Sequence, residues 1–253
     1  MSLFPEYYAR EVRHKLGLSG PIDVTEVATD LGVEVYEEDL DGPDGVLLKV
    51  GGTSVILINS NCTYETRKRF TIAHELGHFY MPHHNLDKFM CTMKDVPGYV
   101  SDSKLEREAD AFASELLLPL RELENELRCP PSIDVVARVA DLYGTSLTAT
   151  ALKVVKATCE PVAVILSSNG NVEWVSRSRS LKWHVRRGRL SENSHAFDYF
   201  IGGTLPKDPQ QVRADAWCDD AEPHHILIEE SIPFSHLGRV LTMISLPFQE
   251  EYD

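Results

Sequence analysis

Residues 67–80 read RKRFTIAHELGHFY, and His74-Glu75-Leu76-Gly77-His78 within them decides how the chain is understood. Phe70, Ile72, Ala73, Leu76 and Phe79 make the run apolar, and its periodicity predicts a helix over 66–79. On a helix, residues four apart lie one turn apart on one face, so the imidazoles of His74 and His78 can grip one metal ion. Glu75 sits about 100° round, close to an open coordination position without being a ligand. That is the layout for a metal-activated water with a general base beside it. An apolar helix rarely carries three ionisable groups into its packed neighbourhood unless they are paired or coordinated.

A catalytic site of this type takes a third protein ligand. The next long helical segment, 104–118, reads KLEREADAFASELLL and stops at Pro119. Leu105, Ala109, Phe112, Ala113, Leu116 and Leu117 form its apolar stripe. At about 100° per residue, Glu106 falls inside that arc, Asp110 at its edge and Glu108 outside it. Glu106 is therefore the expected third ligand. Asp110, one turn on, is placed to accept the free ring N–H of a ligand histidine. Glu108 reads as a solvated carboxylate. Zinc is the default ion for two histidines and a glutamate, and manganese fits the same ligands. Tyr80, His83, His84 and Tyr99 are candidates to stabilise a developing oxyanion, and spacing selects none of them.

The rest of the chain supplies the setting. It has 253 residues, 43% of them hydrophobic and 25% charged, which excludes a disordered chain, a collagen and a coiled-coil rod. The longest apolar runs, such as LLLPL at 116–120, fall far short of the ~20 residues of a membrane span. The opening MSLFPEYYAREVRHK has no apolar secretory core, so the expected address is the cytoplasm. Five cysteines, none in CxxC spacing, argue against a disulfide framework and a thiolate zinc site; they read as packing residues. A net charge of −14 opposes non-specific nucleic-acid binding.

Helices are expected over 7–18, 22–31, 120–127, 133–143 and 147–157, and strands over 33–36, 45–50 and 54–59. After Cys159-Glu-Pro the texture turns strand-like, at 162–166, 172–175, 225–228 and 240–245, and all three tryptophans lie there. The boundary is placed near 158. It divides a first domain, 1–158, which includes a helix-turn-helix-like hairpin at 133–157, from a β-rich domain, 159–253.

Several features carry less. SVILIN, 54–59, reads as an edge strand that an extended substrate can join. In the hairpin, the second helix offers only Lys153 and Lys156 to a nucleic acid, so it reads as packing support. Arg177, Arg179, Lys182, Arg186, Arg187 and Arg189 form a basic island around Trp183, the one place at 177–189 where DNA or an acidic peptide finds a footing; a solvated, acid-paired segment is the plainer reading. His224-His225 lacks a third ligand at metal spacing.

The run INSNCTYETRKRFTIAHELGHF, followed by EREADAFASELLLP, resembles the ImmA/IrrE family of metallopeptidases, and the opening IDVTEVATDLGVEV and GPDGVLL are similar to its N-terminal part. The resemblance spans about residues 5–155. It implies a zincin-like, thermolysin-like core with a small mixed or antiparallel sheet and helices; with the helix pair and the β-rich region read from the chain's own pattern, the expected fold class is α+β. It implies metal ligands at His74, His78 and Glu106 and an acid/base at Glu75. It also implies a substrate: a helix-turn-helix transcriptional repressor, cut at one site to derepress stress or mobile-element genes. One branch of the family carries a GAF-like sensor after the peptidase, whose fingerprint is not visible here, so the second domain is expected to sense a signal or dock the substrate. The rival reading is a regulatory module that holds metal and binds a repressor or DNA with little or no turnover. The intact Glu75 speaks against it, because a scaffold needs no base there. Metal-dependent hydrolysis of a non-protein substrate is the third reading.

Overall fold

The computed structural model describes residues 4–84, 88–91, 103–127, 131–222 and 224–247. The chain divides into two compact units, residues 1–122 with 140–146 and residues 123–139 with 147–253.

In the first unit Pro5 opens α1 (Pro5–Lys15), where a missing N–H costs nothing and the fixed φ suits a helix. Asp23 caps α2 (Val24–Asp30) by accepting from the backbone N–H groups of Thr25 and Glu26, at 2.9 and 3.3 Å. Strands β1 (Val33–Glu38), β2 (Gly45–Val50), β3 (Thr53–Asn59) and β4 (Lys88–Cys91) form one sheet in the order β1-β3-β2-β4. The β1–β3 pair is parallel; the other two are antiparallel.

This order corrects the expectation for SVILIN. It lies in β3, an interior strand, with Ser54 paired to Val33 on one side and Lys49 on the other. Ile56 and Ile58 share one face and are buried, while Val55 and Leu57 on the other face are half-buried. Among the described residues the edges of the sheet are β1 and β4.

Two long helices, α3 (Glu65–Tyr80) and α4 (Ser103–Leu117), pack against one another, and α5 (Leu120–Glu126) follows. Ala73, Leu76, Ala109, Phe112, Ala113 and Leu116 lie in their shared core, each large side chain contributing about 1.5–3 kcal/mol of burial. Arg13 ties α1 to the end of α4. Its guanidinium, 5% exposed, donates to the carbonyls of Leu116 and Gly20, each at 2.8 Å, and to the Glu122 carboxylate at 2.9 Å. Arg13→Met keeps the apolar stem and strands these acceptors, so it is expected to cost about 3 kcal/mol. A thermal melt checks this; an unchanged midpoint counts against the clamp.

The second unit carries the start of α6 (Ile133–Tyr143), all of α7 (Leu147–Ala157) and a sheet of β5 (Val162–Ser168), β6 (Asn171–Arg177), β7 (Gly188–Arg189), β8 (Gln210–Arg213), β9 (Ile226–Phe234) and β10 (Arg239–Ser245). The order is β7-β6-β5-β10-β9-β8, antiparallel throughout. Helix α8 (His195–Phe200) is anchored by the buried Glu229, which accepts from the N–H groups of Ala196 and His195 and from the Trp217 indole. Burial raises the Glu229 pKa in spite of these three donors. On α7, Lys153 is buried and Lys156 exposed, which leaves little basic surface on that helix. The basic island is largely engaged: Arg177 donates to the carbonyls of Leu181 and Trp183, and Arg186 pairs with Asp219.

Among the described cysteines only Cys218 is buried, its thiol pushed up to about 12 by burial and then by Asp220 and Asp219. Cys159 is exposed, so packing does not account for it. Cys91 and Cys129 are not covered by this description, since nothing of the Cys91 side chain is described and Cys129 lies outside the described residues. Among the described residues no helix is long and apolar enough to cross a membrane.

Candidate metal centre

Helix α3 supplies His74, Glu75 and His78, all buried, and α4 supplies Glu106 and Asp110. The helices meet at Gly77. A Cβ there would lie 3.2 Å from Phe112 Cδ1 and 3.3 Å from the Ala109 backbone Cα, so any larger residue would push the helices apart by a few tenths of an ångström. Gly77→Val forces its methyls into that contact. It is expected to cost about 2–3 kcal/mol and to lower bound metal with it, read by melting and by metal analysis of the purified variant. Wild-type values of both would remove Gly77 from this role.

The close approach brings three donors to one point. His74 Nε2 lies 3.1 Å from His78 Nε2 and 3.2 Å from Glu106 Oε2, and His78 Nε2 lies 3.7 Å from Glu106 Oε1. Ligand atoms from all three residues lie within 4.8 Å of one another, a set able to hold a metal ion. On the far side of the ring, His74 Nδ1 is 2.9 Å from Asp110 Oδ1. With the N–H on Nδ1 donated to Asp110, the Nε2 lone pair of His74 is turned toward the other two donors. The donor set thus fits a cation of the zinc type: two imidazole nitrogens and a carboxylate.

Electrostatics follow from the same contacts. Burial works against protonating His74, but hydrogen bonds to Asp110 and Glu106 outweigh it and raise its pKa to about 9. His78 is held to about 2 by burial, with the nearby charge of His74 adding to it. His78 is therefore neutral, the form in which imidazole binds metal. A cation at the convergence point takes the place of the His74 proton.

Glu75 is 0% exposed. Its Oε1 lies 3.4 Å from where a Cβ on Gly45, the first residue of β2, would stand; the same Cβ would collide with Thr71. A bare glycine at the start of β2 therefore keeps room above the carboxylate. Glu75, His74, Glu106 and Asp110 line a cavity of about 230 Å³, at whose rim Arg67 pairs with Asp44.

One expectation is overturned. Glu108 is not a solvated carboxylate: its side chain is 15% exposed and its Oε2 lies 2.7 Å from His83 Nε2 and 3.2 Å from His84 Nε2. Met81 ends α3, and a turn closed by the His84 N–H on the Met81 carbonyl is followed by His83 and His84 lying against the face that periodicity assigned to solvent. His84, fully buried, reaches His78 from behind, Nδ1 to Nδ1 at 2.9 Å. The positions 74, 78 and 84 match a three-histidine ligand spacing, although Met81 stands where that pattern has glycine. Here His84 takes the rear nitrogen of His78, and Glu106 completes the donor set. Tyr80 is near Glu11, at 3.4 Å, rather than directed at the donors, and Tyr99 lies outside the described residues. His224 and His225 stack on each other without a third donor among the described residues.

The family model of the M78 peptidases, described as the IrrE N-terminal-like domain, matches residues 28–154. The chain belongs to the ImmA/IrrE family of metallopeptidases. The ImmA/IrrE match takes in α3 and α4 whole, and with them every donor described above. Metallopeptidase ImmA of Bacillus subtilis (strain 168) is 32% identical over 126 residues, 48% of this chain and 71% of that protein. A solved structure of a Mycobacterium tuberculosis transcriptional regulator is similar in fold, with a TM-score of 0.58 at 14% identity, covering 95% of this chain and 76% of that one. For an ImmA/IrrE protein a bound metal ion is implied, and His74, His78 and Glu106 are residues able to bind one.

Proposed function

We propose that this chain is a zinc-dependent endopeptidase that cuts a regulatory protein at one site, a helix-turn-helix transcriptional repressor, and so derepresses stress or mobile-element genes. The observation that carries the reading is the convergence of His74, His78 and Glu106 beside a buried Glu75 in an open cavity. The three converging residues are the metal ligands, in a thermolysin-like zincin domain over 1–158. The β-rich region 159–253 senses a signal or docks the substrate, and the protein works in the cytoplasm.

A zinc ion held by these ligands supplies Lewis acidity, making water easier to deprotonate and a peptide carbonyl easier to attack; manganese suits the same donors. The chain's own residues do the rest. Asp110 holds His74 in the tautomer that presents Nε2. The Glu75 carboxylate takes the proton from the attacking water and delivers it to the leaving amine. Gly45 leaves the room in which substrate and Glu75 meet. The sheet edge on that side is β4, paired to β2 with Cys91 opposite Gly45, and an extended peptide adds to this edge through its backbone.

The test is to purify the protein, count its metal, and incubate it with the repressor encoded by the neighbouring gene. One new N-terminus in the repressor, absent after chelation, is the expected result. An intact repressor in the presence of zinc and of manganese would overturn the assignment.

A further inference from the structure

The turn after α3 gathers a second set of donors. His83 Nε2, His84 Nε2 and a Glu108 oxygen lie within 4.8 Å of one another. Glu108 Oε2 is 2.7 Å from the first nitrogen and 3.2 Å from the second. The composition repeats that of the inner set, two imidazoles and a carboxylate, which suits zinc among divalent ions. Access differs: His84 is buried, whereas the His83 side chain is 32% exposed, so an ion enters from solution on the His83 side without crossing the substrate cavity.

We propose that His83, His84 and Glu108 form a second, outer zinc site that opposes occupancy of the inner one. The opposition follows from where hydrogens must sit. This rests on the reading of His78 as an inner ligand. A neutral His78 that binds through Nε2 carries its hydrogen on Nδ1, and that N–H is 2.9 Å from His84 Nδ1, which must then accept. His84 consequently carries its own hydrogen on Nε2 and donates it to Glu108. An outer ion needs the lone pair of His84 Nε2, which moves the hydrogen to Nδ1 and sets it against the N–H of His78. Each ion therefore disfavours the tautomer that the other requires, and the coupling is reciprocal. Excess zinc is expected to fill the outer site and loosen or distort the inner one, so that the protein is most active with a single ion.

The test is a zinc titration of the full-length chain by equilibrium dialysis with elemental analysis, with no substrate present. Two ions per chain are expected, the second at least tenfold weaker. In His83→Ala the second ion is lost or weakened at least tenfold and the first is kept. In Glu106→Ala, which weakens the inner site and leaves the three outer donors in place, the outer ion binds at least fivefold tighter than in the wild type at zinc levels that leave the inner site mostly empty. Should Glu106→Ala fail to fold, Asp110→Asn weakens the inner site by a gentler route and serves the same comparison. One ion per chain up to millimolar zinc, or a second ion bound by His83→Ala as tightly as by the wild type, would overturn the outer site. Unchanged outer affinity when the inner site is vacated would overturn the coupling. Glu75→Gln, run in parallel, still binds two ions even if no repressor is ever cut, so failure of the peptidase reading is told apart from failure of this one.

Discussion

Glu75→Gln is expected to lower kcat/KM for repressor cleavage by about 10²–10⁴-fold while the protein keeps its metal. The amide has the size of the carboxylate and cannot take up a proton from water. Nothing in the ligand set changes, because Glu75 is not one of the three residues whose ligand atoms converge. Stability should hold or rise, since a buried neutral amide costs less than a buried carboxylate. Three readings on one preparation decide it: cleavage rate, metal content and melting temperature. A variant that cuts as fast as the wild type removes Glu75 from the chemistry. A variant that cuts slowly because it has lost its ion points instead to an unforeseen ligand role.

Glu106→Ala is expected to have the opposite signature. It removes one of three donors and should weaken zinc binding by about 10²-fold, roughly 3 kcal/mol. It also takes a hydrogen-bonding carboxylate from beside His74. Cleavage then falls with metal content and recovers in part at high zinc, up to the level where excess ion becomes inhibitory. The comparison with Asp110→Asn is informative, because Asp110 touches only the rear nitrogen of His74. An outer partner of this kind is worth about 10–100-fold in affinity. If Glu106→Ala retained metal as tightly as the wild type, the third donor would have to be sought elsewhere.

How much of this was legible in the sequence depends on how local the cause is. The α3 motif and the α4 stripe are local patterns of period 3.6, and they located His74, His78 and Glu106 before any coordinates. The same periodicity failed for Glu108, because it knows only the helix and not what lies across it. Two histidines beyond the end of α3 pair with that carboxylate, a tertiary event. Strand β3 was placed correctly along the chain and wrongly in the sheet. Its parallel partner β1 is separated from it along the chain by β2, and a run of side chains does not say how many neighbours flank it. The second unit was read least well. Helix α8 is six residues long and β8 is the polar QQVR, both too short for a period to emerge. Strand β9 runs on to Phe234 through Pro233, which the sequence reading stopped short of at 228.

The Arg13 clamp bears on how a minimal catalytic fragment can be cut. The family match begins at residue 28, so a fragment trimmed to it starts after α1. That trimming removes the guanidinium that satisfies the closing carbonyl turn of α4, the same helix that presents Glu106 from its first turn. Domain boundaries drawn by likeness alone would amputate a brace; those drawn by hydrogen bonding keep residues 5–15 in every expression design.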